Sequence, residues 1–167
     1  ELTRLIDLNV DFCDAFAGAL TPPPTVLKAT DLKASYNVQT PLASFLYFNF
    51  FVNHASVEKI IGKLRRTAEQ AVTNVMIYLN EQYRRYCEKT QALYRPLPFA
   101  PRVLTFRELY EEVAAYTPDL ADTLEKTTAV LQSQGADPRT ICLAAVEQVK
   151  KACRDLSPVI TIFFAPP

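Results

Sequence analysis

The 167 residues include no tryptophan, one histidine, one methionine and three glycines, and 18 basic side chains balance 18 acidic ones. Each scarcity removes a class of function. With His54 as the sole imidazole, no site that needs two histidines can form. Gly18, Gly62 and Gly135 stand alone, so the glycine spacings of phosphate-cradling and dinucleotide-binding loops are absent. Neutral balance supplies no overall field to hold nucleic acid or an anionic membrane. The longest mainly apolar run, 42–52, has 11 residues. A membrane-crossing helix needs roughly 20.

What remains is ordinary globular composition, 49% hydrophobic and 22% charged, in a length suited to one domain over 1–167. The apolar run 159–164 lies so near the last residue that we expect a piece of a longer polypeptide, or a tail covered by a partner. Four cysteines, Cys13, Cys87, Cys142 and Cys153, show no CxxC spacing. Cys142 and Cys153 fall on one expected helix, roughly 16 Å apart at ~1.5 Å per residue, beyond disulfide reach. Free thiols acting as small hydrophobes point to a reducing compartment, cytoplasm or nucleus.

Prolines divide the chain into lengths that suit helices. Thr40-Pro41, Thr117-Pro118 and Asp137-Pro138 have the form of a capping residue followed by a first-turn proline. Thr105 with Glu108 spells a capping box, and Gly135 sits where a left-handed helix end belongs. A 3.6-residue apolar period runs through 2–20, with Asn9 inside the apolar arc, and through 56–90, 106–116, 118–134 and 138–156. Along 56–90 the stripe includes Val75, Leu79, Tyr83 and Tyr86, with Tyr78 beside it, and all of these read as core. The run 42–52 is apolar all round; its preceding cap argues helix and its aromatics argue strand, and we read a buried helix. Residues 25–39 read as loop with a short strand, and 159–164 as a strand. The expected fold is mainly α: an irregular bundle of five to six helices around one long helix at about 56–90, with a minor β element near 159–164.

Catalytic signals are thin. His54 is a general-base candidate on chemistry alone, yet it precedes Ser56, the expected cap of the long helix, and reads as a linker residue. Glu108, Glu111 and Glu112 form one acidic row and Asp7, Asp11 and Asp14 another. No Glu-x-x-His pairing accompanies either, so both read as solvated faces. We expect no cofactor, metal or small-molecule ligand. Gly62 interrupts the long helix, either at a tolerant edge or where another helix comes close.

Zero net charge conceals segregation. Residues 56–95 hold eight basic side chains against four acidic, whereas 106–137 hold two against seven. Lys59, Lys63 and Arg66 project together as a basic patch, and Ile77 shares their angle. The patch reads as a solvated face, a contact for an acidic surface, or a nucleic-acid site; the last lacks the interleaved aromatics that stacking on bases uses. With Phe163 and Phe164, these residues make the candidate partner surface. The expected function is non-enzymatic: a protein–protein interaction or assembly module, a structural or scaffolding part of a larger complex such as a viral particle, with a protein partner or self-association. Nucleic-acid binding and an enzyme with an unfamiliar site around His54 or a cysteine are the alternatives.

Overall fold

The computed structural model describes residues 1–33, 35 and 38–166. They form five α-helices and six strands, paired in three separate two-stranded sheets. The class is mixed α/β, which overturns the expected mainly α bundle. The chain divides into two compact units, Glu1–Tyr94 and Arg95–Pro167.

In the first unit, short polar side chains cut off the helix that the apolar period predicts over 2–20. Helix α1 spans only Leu2–Ile6. Asp7 turns extended and its carboxylate accepts the Val26 N–H at 2.7 Å, while Leu8 adopts a left-handed φ of 55°. Asn9 donates to the Leu5 carbonyl and accepts from the Asp11 N–H, so it has the partners its half-buried amide requires. A single 3-10 turn, Val10–Phe12, follows. Strands β1 (Ala15–Phe16) and β2 (Ala19–Leu20) then form a hairpin around Ala17 and Gly18, both with positive φ. That is the turn geometry a two-residue hairpin demands.

Strands β3 (Thr25–Asp31) and β4 (Ser44–Asn49) pair antiparallel, with a register shift between Val26 and Lys28. The buried helix expected over 42–52 is thus a strand, and Thr40-Pro41 starts no helix. Phe45, Tyr47 and Phe48 suit a pleated half-buried surface better than a helix. The loop expected ahead of it falls partly on residues 34, 36 and 37, which lie outside the described residues.

Helix α2 runs Val57–Thr90, with the Ser56 hydroxyl accepting the Lys59 N–H and Gln91 ending it at a left-handed φ of 56°. Ala68 and Ala71 are buried, and α1 packs on this helix. Farther along, Val75, Tyr78, Leu79 and Tyr86 lie exposed, contrary to the expected core. Among the described residues, Tyr83 alone of the three tyrosines on this helix finds aromatic cover: its ring lies 5.8 Å from that of Tyr94. Tyr94 in turn donates to the Asn80 amide oxygen.

The second unit begins with β5 (Arg102–Thr105), which leads directly into α3 (Phe106–Ala114). The expected capping box is present: Thr105 accepts the Glu108 N–H and the Glu108 carboxylate accepts the Thr105 N–H. Helix α4 (Leu120–Ser133) is capped at Asp119, not Thr117. Gly135 turns with φ 71°, and Asp137 caps α5 (Pro138–Ala152), placing Pro138 in the first turn as expected. Leu109, Val113, Leu120, Val149 and Cys153 make one buried cluster. Helix α5 ends before Leu156, which is exposed. Strand β6 (Val159–Ile162) matches its expected position and pairs parallel with β5, Arg102 opposite Val159 and Thr105 opposite Ile162.

Candidate functional site

The strongest convergence of polar groups in the first unit is the turn between β4 and α2. Three consecutive amides, Asn53, His54 and Ala55, donate to Oδ2 of Asp14 at 2.9, 2.6 and 2.8 Å. Asp14 is buried, and its own N–H donates to the Thr21 hydroxyl across the β1–β2 hairpin. The His54, Ala55 and Asn53 amides, helped by the positive charge of Lys59, hold the Asp14 carboxyl below the usual aspartate range. The imidazole of His54 stacks on Phe16, with ring centroids 4.8 Å apart and planes 5° from parallel.

Beside this anchor lies a hollow of about 160 Å³ lined by Cys13, Asp14, Phe50, Ala55, Lys59 and Lys63, among others. Lys63 reaches over it and donates to the Asp11 carbonyl at 2.6 Å. Thus the fold brings together Cys13, Asp14, His54, Lys59 and Lys63, which the sequence placed on separate elements. Because three backbone donors converge on Oδ2, the carboxylate acts as an anchor for the strand-to-helix turn. The acidic row Asp7, Asp11 and Asp14 does not exist as a helical face, since α1 ends before it.

The remaining predicted residues disperse. Arg66 is exposed, and a Cβ added at Gly62 would meet only its guanidinium, at an ordinary 3.6 Å. No second helix approaches Gly62 among the described residues. Ile77 is exposed beside a shallow groove that Val72, Met76, Asn80 and Tyr94 also line. Phe163 and Phe164 follow β6 in the second unit, Phe163 half-buried and Phe164 half exposed.

A second polar cluster was not foreseen. Arg102 pairs with Glu112 at 2.8 Å and with Asp155 at 2.9 Å, and the buried Cys153 thiol lies 3.8 Å from Glu112. Glu112 therefore does not face solvent with Glu111, and Glu108 is occupied in the α3 cap. Arg102 opens β5, so the cluster lies at the amino ends of the parallel strands. Ligands of open parallel sheets gather at the opposite, carboxyl ends. Its chemistry is that of a tie joining β5, α3 and the α5–β6 connection. The one signal in the sequence was an arginine at the head of a short β-branched run. Among the described residues, no group of three or more His, Cys, Asp or Glu side chains is placed to hold a metal ion. No described helix is long and apolar enough to cross a membrane.

Two longer proteins resemble the chain in sequence. Along its whole length the chain is 31% identical, over 173 aligned residues, to the uncharacterized protein YqjN of Bacillus subtilis (strain 168). It is 26% identical over 167 residues to protein RocB of the same organism. The chain spans 30% and 29% of the length of these two relatives. No family model matches it, and no solved structure does.

Proposed function

We propose that this chain is a non-enzymatic interaction and assembly module that associates through the second half of α2. One observation carries the reading: the apolar stripe of α2, half-buried at Ile60, Ile61 and Leu64 and buried at Ala68 and Ala71, continues into Val75, Tyr78, Leu79 and Tyr86, which are exposed. Tyr78 and Tyr86 are 63% and 62% exposed, and large amphipathic side chains repeated on one helix face suit a protein-binding surface. The match of the whole chain to less than a third of each longer relative fits a module that works within a larger assembly. Self-association is the partner we favour. Nucleic-acid binding through Lys59, Lys63 and Arg66 has less support, because Lys63 is engaged with the Asp11 carbonyl and the charge of Lys59 is partly offset by that of Asp14.

Sedimentation equilibrium across the micromolar range tests the proposal. Concentration-dependent association is expected, with Tyr78→Glu/Tyr86→Glu reverting the chain to a monomer of unchanged helix content. A chain that stays monomeric throughout, or an association that the double variant leaves intact, removes the reading.

A further inference from the structure

The parallel pair β5–β6 has a boundary on one side and an opening on the other. Strand β5 bears the marks of a sheet margin: Pro101 precedes it, and its first residue is the ion-paired Arg102. Strand β6 bears none. Its run Val159-Ile160-Thr161-Ile162-Phe163-Phe164 has no charge and no proline, and it offers apolar groups to both sheet faces. Such a run belongs to an interior parallel strand, covered on both faces and paired along both edges. Here all four residues of β6 are only half-buried, and among the described residues they pair on one edge alone.

Backbone geometry locates the unpaired groups. The Arg102 N–H donates to the Pro158 carbonyl at 2.9 Å. With the register of Arg102 opposite Val159, this turns the main-chain groups of Ile160 toward β5 and those of Val159 and Thr161 to the open edge. A two-stranded sheet seldom stands alone. The β5–α3–α4–α5–β6 crossover is also the connection by which parallel sheets of many strands are built.

We infer that the open edge of β6 receives a further β-strand from the same polypeptide, outside these 167 residues. The added strand bonds to the main-chain groups of Val159 and Thr161 and makes β6 an interior strand. The relatives match this chain from end to end and are more than three times as long, so chain enough for further strands accompanies the segment in both. A strand given by a second copy is the competing occupant. The inference does not depend on association through α2, which uses a different surface.

Residue-resolved hydrogen exchange on the full-length gene product, alongside sedimentation, decides the matter. The Val159 and Thr161 amides are expected to exchange roughly a hundredfold or more slower than unstructured amides, like Ile160 and Ile162, in the monomer and independently of concentration. Rapid exchange at Val159 and Thr161 beside slow exchange at Ile160 and Ile162 overturns the inference. Protection that vanishes on dilution to monomer overturns it too, in favour of a second copy. Thr161→Pro, which removes an outward N–H and none that faces β5, is expected to abolish the protection of Val159 while leaving Leu109 and Val149 protected. Loss of α2 association would be read in the sedimentation data and would leave these amides unmoved.

Discussion

The two units are held together by different means. In the second, Leu109, Val113, Leu120, Val149 and Cys153 from three helices and their flanks form a continuous apolar cluster. In the first, the buried residues are small or scattered, Ile6, Pro24, Ala68, Ala71 and Cys87, and two further buried side chains are polar, Asp14 and Thr21. Apolar packing is non-directional and tolerates modest shifts, whereas a carboxylate holding three amides fixes one backbone path. Residues 95–167 can therefore be recognised from hydrophobic periodicity, and residues 1–56 cannot. Their shape is set by particular polar atoms.

Several substitutions separate these two modes. Leu109→Ala strikes the fully buried centre of the second unit and should cost roughly 2–5 kcal/mol in urea unfolding. Exchange of the Asn53–Ala55 amides should be untouched by it, and their joint collapse would show that the two units unfold as one. In the first unit, the Asp14 carboxyl titrates below its ordinary value, about 3.9. Its contribution is thus complete above that pH and is lost as pH falls through the lowered value. After correction for intrinsic chemistry, protection of the Asn53, His54 and Ala55 amides should fade in acid. Asp14→Asn should show weaker protection at neutral pH and no such acid limb. If the variant keeps the limb, another group holds the turn.

Smaller effects sharpen the contrast. Thr105→Ala removes half of the α3 capping box and should lower the stability of the second unit by about 1 kcal/mol. Thermal melting followed by circular dichroism is sufficient to detect it. Gln91→Gly relieves the left-handed residue at the end of α2 and should stabilise the first unit by up to about 1 kcal/mol. No change there would mean that the Gln91 side chain makes compensating contacts.

How much of this was legible depends on which force dominates locally. The cap and extent of α2, the Thr105–Glu108 box, the Gly135 turn, the Asp137-Pro138 start of α5 and the strand at 159–162 all follow from short-range rules. The errors share a cause. An apolar period at 2–20 argued for a helix, but Asp7 accepts the distant Val26 N–H, Asn9 bonds back to the Leu5 carbonyl, and the helix ends after one turn. Phe45, Tyr47 and Phe48 pair with β3, a partner no local signal names. Strand β5 is four residues long and is specified by β6, far along the chain. At the candidate site, His54, Cys13 and the two lysines were visible as residue types. Asp14 as the group that gathers the turn was not, because its three donors lie some forty residues away in sequence and are backbone atoms. Exposure of Tyr78 and Tyr86 was hidden for the opposite reason: periodicity marks an apolar face and is silent on what covers it.

The distance along the chain between β5 and β6 also sets an order of events. Helices α4 and α5 are neighbours joined by a short turn, and their contacts close a small loop. The parallel pairing must enclose three helices before its first hydrogen bond forms, and large loops close late. During synthesis the most apolar stretch of this unit, 159–164, emerges after β5 and the three helices, and it meets a largely finished scaffold. Until it docks, that stretch is an exposed, uncharged, β-prone segment, the kind that nucleates aggregation. Refolding yield should thus fall with protein concentration more steeply than stability would foretell, and the kinetic weak point of this unit is the strand that must wait for its distant partner.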